Sequence, residues 1–204
     1  MTVTPIGIII LAAGGSTRFG RPKQLLEFEG RTLLRRAAET ALSCQSGPVL
    51  VVLGNEYEKV RSEIVDMPVE TVFNPDWQKG MGSSIGCAVS KVVQERPDIS
   101  AVIFTLCDQP HVHHTALTRL VEAYLSKNAK IVASEYENTI GVPALFDASL
   151  FAELIDLTGD VGAKSIIERH SNNTVKILLP EAAFDIDSAL DHNRLISNQE
   201  KRTT

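Results

Sequence analysis

The chain is poor in cysteine, in aromatic residues and in positive charge. Its three cysteines, Cys44, Cys87 and Cys107, are an odd number in 204 residues and have no CxxC spacing. That excludes a disulfide framework and a zinc knuckle, and leaves buried reduced thiols. Lys and Arg number 20 against 25 Asp and Glu, for a formal charge of −5, and no basic stripe or arginine-rich tail is present. A nucleic-acid surface is therefore not expected. The first apolar run, Ile6 to Ala13, is short and ends in glycines, so neither a membrane span nor a signal segment is read there, and a cytoplasmic location is expected. A P-loop is absent, because Gly20 is followed by Arg21 and Pro22, and GxGxxG is absent too.

What is present is apolar residue in quantity, 44% of the chain, enough for one sizeable core. No repeat, low-complexity block or flexible linker divides it, so a single domain over residues 1–196 is expected, with residues 197–204 as a frayed tail. Short apolar runs bounded by Gly, Pro or Asn read as buried strands: Ile6 to Leu11, Val49 to Leu53, Glu70 to Phe73, Ala101 to Leu106, Lys130 to Ala133 and Thr174 to Leu179. Helical periodicity falls between them, at Thr32 to Ser43, Glu56 to Val65, Ser83 to Glu95, Thr115 to Lys127 and Ala148 to Leu157, with a last helix from about Ser188. The less regular stretch Glu135 to Pro143 is expected to leave the sheet and rejoin it. Such alternation implies an α/β fold with a mostly parallel sheet between helical layers, and ligands at the carboxyl ends of its strands.

Two kinds of residue stand at those ends. After the first strand, Leu11, Ala12, Ala13, Gly14 and Gly15 have small or apolar side chains, so backbone N–H groups can approach a triphosphate, and Arg18 and Lys23 supply neutralising charge. After the Ala101 to Leu106 strand comes Asp108, where Pro110 stops the ladder and a carboxylate suits Mg²⁺. In FDIDS, Phe184 to Ser188, alternation places Asp185 and Asp187 on one face. HVHH, His111 to His114, has no partner cluster for a metal, although His111 falls near enough to line the pocket. Trp77 and Met81 read as packing residues.

The pattern LxxGxxxRxGxxKxLL, matched at Leu11, Gly14, Arg18, Gly20, Lys23, Leu25 and Leu26, resembles the signature of nucleotidyltransferases acting on molybdopterin, sugar phosphates and methylerythritol phosphate. Within the MobA-like NTP transferase superfamily the chain resembles the molybdopterin cytidylyltransferases, since it reads LAAG where guanylyltransferases read LAGG. Ala13 thus points to CTP. The resemblance implies a three-layer α/β/α Rossmann-like nucleotidyltransferase fold. It also implies an Mg²⁺ ion on Asp108 and Asp187, with Ser188 as the cap of the last helix.

From the same resemblance, GMxxSI places Gly82 and Ser84 beside the pyrimidine and Asn74 near the nucleotide. GxPxLF and GDxGAR place Gly141, Pro143, Asp160, Gly162 and Lys164 on the acceptor side. Lys164 stands where the family has Arg, which keeps a cation but loses the planar fork that grips phosphate. The activity implied is transfer of CMP from CTP to the phosphate of molybdopterin, with a molybdenum hydroxylase or its maturation factor as a partner. Alternatives are a transferase using GTP or a sugar or polyol phosphate, a non-catalytic chaperone for the finished cofactor, and redox work on a small heterocycle. The last has no dinucleotide fingerprint behind it.

Overall fold

The computed structural model describes residues 5–15 and 19–200, so Arg18 lies outside the described residues. Among these, a seven-stranded sheet is built from β1 (Ile6–Ala12), β4 (Val49–Leu53), β5 (Glu70–Phe73), β6 (Ala101–Leu106), β7 (Ile131–Tyr136), β8 (Thr139–Asp147) and β9 (Thr174–Leu178). The order is β5-β4-β1-β6-β8-β7-β9. β1 runs parallel to β4 and to β6, and β8 runs antiparallel to both of its neighbours. Chain direction across the sheet reverses between β1 and β6, so a crevice opens at their carboxyl ends.

β1 is buried along its whole length. Its alternate residues serve two cores. Ile8 and Ile10 meet Leu34 and Ala38 of α1 (Leu33–Cys44), Val60 of α2 (Tyr57–Arg61) and Leu117 and Leu120 of α4 (His114–Lys127). Ile9 and Leu11 face Ile85 and Val89 of α3 (Met81–Glu95), Leu154 of α5 (Phe151–Ile155) and Ile166 of α6 (Lys164–Arg169). With both faces covered, each fully buried Ile or Leu contributes roughly 1.5–3 kcal/mol. The result is the expected three-layer α/β/α nucleotidyltransferase architecture.

A third, smaller core sits at the crevice. The hairpin of β2 (Glu27–Phe28) and β3 (Arg31–Thr32) turns through Glu29 and Gly30, both at positive φ, as a two-residue hairpin requires. Phe28 and Leu26 from this segment pack with Ile186 and with Leu195 of α7 (Ala189–Glu200). His192 of α7 bonds the Glu27 carbonyl at 2.8 Å. The chain's two ends are thereby clasped beside the site.

Several expectations need correction. Glu135 to Pro143 stays within the sheet, as the turn and flanking strands of a β7–β8 hairpin whose Glu137 and Asn138 have positive φ. The segments expected as long helices at Glu56 to Val65 and Ala148 to Leu157 are each split into a short α-helix and a 3₁₀ turn. α7 spans Ala189–Glu200, and residues 201–204 of the expected tail lie outside the described residues.

Candidate active site

The loop after β1 is shaped by a residue that sequence reasoning passed over. Gln24 is 3% exposed, and its Nε2 donates to the Ala12 carbonyl at 2.7 Å and the Gly14 carbonyl at 3.0 Å. The Asn55 amide donates to the Ala13 carbonyl at 3.4 Å. In a trans peptide the N–H points opposite to the C=O. With these three carbonyls engaged, the amides of Ala13, Gly14 and Gly15 are turned the other way. Three successive amides set by buried partners are the raw material of an anion site. Among the described residues a Cβ on Gly14 would meet nothing within 4 Å, and with respect to them the backbone there borders open space.

That space is a cleft of about 660 Å³, within the usual ligand-site range of about 300–1,000 Å³. Leu11, Ala12, Ala13, Gly14 and Gly15 form one wall, Lys23, Gln24, Cys107 and Asp108 a second, and Trp77, Met81, Ser84 and Asp160 a third. Trp77 and Met81, read from sequence as packing, therefore face the cleft.

Lys23 is the electrostatic centre. Its Nζ donates to Asp108 Oδ2 at 2.8 Å and to Asp187 Oδ1 at 3.1 Å. Burial would lower the Lys23 pKa, but the two carboxylates outweigh it and hold the ammonium above the ordinary lysine value. The acidic motifs meet because the Ile186 amide donates to the Asp108 carbonyl at 3.0 Å and Ile186 inserts into the small core, leaving Asp187 on the cleft side. Ser188 caps α7 as expected. Its Oγ accepts from the Asp191 amide at 3.3 Å, while Asp191 Oδ2 accepts from the Ser188 amide at 2.8 Å, a reciprocal box.

The Asp185 carboxyl, two residues before Asp187, is pushed up to about 6 by desolvation and by the negative charge of Asp108, with Asp187 adding to it. Asp108 Oδ1 is buried and has no hydrogen-bond partner among the described residues. An unsatisfied carboxylate oxygen beside a second carboxylate is a donor set that fits a hard divalent cation.

The remaining expected residues divide into supports and outliers. Asn74, 2% exposed, lies beneath the cleft and donates to Ser83 Oγ at 2.9 Å and Ser84 Oγ at 3.0 Å. The Gly82 amide donates to the Gly159 carbonyl at 2.9 Å, holding α3 against the loop that carries Asp160. Gly141, Pro143, Gly162 and Lys164 do not line the cleft. Gly141 packs against Tyr136, Gly162 against the Met81 sulfur, and Lys164 Nζ donates to Thr139 Oγ1 at 3.2 Å. His111 sits between Phe28 and Phe184, with ring centroids 6.2 and 5.4 Å away, instead of lining the pocket. Cys107 is buried and its thiol pKa is driven far up by burial and by Asp108, so it is inert. No described helix is long and apolar enough to cross a membrane.

Compared with known proteins, residues 8–174 match the MobA-like NTP transferase domain. The chain is similar to the nicotine blue oxidoreductase of Paenarthrobacter nicotinovorans, 32% identical over 172 residues and covering 79% of this chain and 80% of that protein. It is also similar to the purine catabolism protein PucB of Bacillus subtilis, 28% identical over 188 residues and covering 88% of each. The crystal structure of Rv0371c from Mycobacterium tuberculosis aligns at a TM-score of 0.84 with 26% identity, covering 97% of this chain and 100% of that one.

Proposed function

The chain belongs to the MobA-like NTP transferase family and is a nucleotidyltransferase, and on that premise we propose that it transfers CMP from CTP to the phosphate of molybdopterin, releasing pyrophosphate. The observation that carries this reading is the Lys23 ammonium lying between Asp108 and Asp187 at the mouth of a cleft whose wall is the Ala12 to Gly15 backbone. An acceptor phosphate oxygen forms a bond to the α-phosphorus of CTP in line, and the bond to the pyrophosphate oxygen breaks. No covalent enzyme intermediate is needed.

The difficulty is to bring two polyanions together, so the protein's task is positioning and charge neutralisation. The amides of Ala13, Gly14 and Gly15, fixed by Gln24 and Asn55, hold triphosphate oxygens. Lys23 and Arg18 offset charge on the phosphates. Asp108 and Asp187 would hold Mg²⁺, which when bound would supply charge neutralisation at the phosphates. Asn74 sets Ser83 and Ser84 at the start of α3, where the pyrimidine is placed. Ala13 supports CTP over GTP, and the loop carrying Asp160 faces the acceptor. The reaction takes place in the cytoplasm, and its product would pass to a molybdenum hydroxylase or its maturation factor.

Incubation with Mg²⁺, molybdopterin and each labelled nucleotide in turn tests this. Pyrophosphate should appear with CTP and not without acceptor. Release with GTP, or with a sugar or polyol phosphate instead of molybdopterin, would reassign the substrates. Binding of the finished cofactor with no turnover would favour a chaperone. A second reading is favoured by the relative named nicotine blue oxidoreductase: reduction of a small heterocycle. Consumption of NADH or NADPH with such a heterocycle, and no pyrophosphate under any condition, would establish it instead.

A further inference from the structure

Trp77 is the one tryptophan in the chain, and it occupies a slot made by two glycines from different loops. A Cβ on Gly15 would fall 2.7 Å from Cζ3 and 2.9 Å from Cη2 of the indole. A Cβ on Gly54 would fall 2.7 Å from Trp77 Cβ and Cγ and 2.5 Å from the Ala13 carbonyl. Neither glycine is at positive φ, in contrast to Gly20, Gly30, Gly80 and Gly159. Space, not backbone conformation, is what requires glycine at both positions. The indole thus bears on the loop after β1 at Gly15, while Gln24 holds the Ala12 and Gly14 carbonyls of the same loop. One face of Trp77 also borders the cleft. Four residues later the chain enters α3, where Ser84 lines the same cleft.

We propose that Trp77 is a positioning residue for the nucleotide: its indole, seated on Gly15 and Gly54, fixes the phosphate-binding amides relative to the start of α3. This rests on the reading that a nucleoside triphosphate occupies the cleft. A ligand gripped by the loop at its phosphates and by α3 at its base needs those two supports at a set separation. Trp77 joins them: its indole lies against Gly15, and its backbone leads through the 3₁₀ turn Trp77–Lys79 into α3.

The test is calorimetric titration with CTP, GTP and ATP in the presence of Mg²⁺ and without acceptor, alongside indole emission, which reports this residue alone. Saturating nucleotide should shift or quench the wild-type emission. Gly15→Ala should raise the Kd at least about tenfold, because a tight site gives by strain when a methyl is forced in. Trp77→Leu should weaken binding comparably, and Trp77→Phe, which keeps a ring in the slot, should recover most of the loss. The decisive variant is Gly15→Ala/Trp77→Leu. Where the new methyl fills space vacated by the indole, the double variant binds no worse than either single one. Additive losses, or unchanged emission while calorimetry reports binding, would overturn the role of Trp77 and leave the transferase reading standing. No binding of any nucleotide to the wild-type protein would remove both.

Discussion

Lys23 keeps its charge although its side chain is only 20% exposed, because two carboxylates face it. Removing the amine leaves Asp108 and Asp187 repelling one another and takes a cation from the phosphates. Lys23→Ala should lower turnover by about two to three orders of magnitude, the cost of one transition-state donor, while the unfolding temperature stays close to wild type. Near-normal pyrophosphate release would exclude Lys23 from the chemistry. A second residue-scale pair lies away from the cleft, where Tyr124 donates to Asp147 Oδ2 at 2.6 Å. Burial, then the Asp147 contact, push the Tyr124 pKa up to about 12. Burial opposes ionisation of Asp147, but hydrogen bonds from Ser149 and Tyr124 prevail and lower its pKa below 3.8. The Asp147 contribution is present above 3.8 and is lost as pH falls through its lower folded value. The Tyr124 contribution is present below 10 and is lost as pH rises toward about 12. Tyr124→Phe should therefore cost about 1–2 kcal/mol near neutrality, and urea titrations should show the gap closing at both pH extremes. Lys23 and Asp108 are legible in the sequence because Lys23 follows the small-residue loop after β1 and Asp108 stands just past the end of β6. Gln24 is not, because its value lies in reaching carbonyls ten and twelve residues earlier, which only the folded turn brings near.

The meeting of α3 with the loop before α6 depends on glycine at Gly80, where φ is +104° and a Cβ would strike the Gly159 backbone and approach Asp160 Oδ1 to 2.5 Å. Gly80→Ala should cost about 2 kcal/mol or more, through backbone strain and overpacking together. The measurement is denaturant unfolding, and an unchanged midpoint would show that the loop simply moves aside. β1, β4 and β6 were readable as apolar runs because both of their faces are covered. β8 was not, because Gly141 and Pro143 argue against a strand. The structure accommodates them at an irregularity: Ala133 pairs with Ala144, then Ser134 with Gly141, so Val142 and Pro143 bulge from the ladder. Pairing of β8 with β6 ends at Phe104 and Ala144, which leaves Pro143 clear of that neighbour. The two short helices were overextended for a related reason: apolar spacing continues through a 3₁₀ turn, but the i→i−4 ladder does not.

Across the whole molecule, the small core of Leu26, Phe28, Leu33, Ile186 and Leu195 sets the distance between the cation near one end and the acid near the other. Leu195, 3% exposed, does not line the cleft. Leu195→Ala should nevertheless weaken Mn²⁺ binding, read by the spin-resonance signal of the free ion. It should also lower stability by about 2–4 kcal/mol for the lost packing and cavity. A destabilised variant with unaltered Mn²⁺ affinity would separate this core from the carboxylates. That two ends of the chain meet here was legible only as two motifs; their juxtaposition needed the packing of Ile186. Lys23 and Asp187 stand 164 residues apart, and this has a consequence for biosynthesis. A ribosome must extrude the chain as far as Asp187 before the acid and the amine can find each other. Polypeptides halted midway would carry the triphosphate turn without its counterpart, and competence would arrive in one late step instead of growing with length.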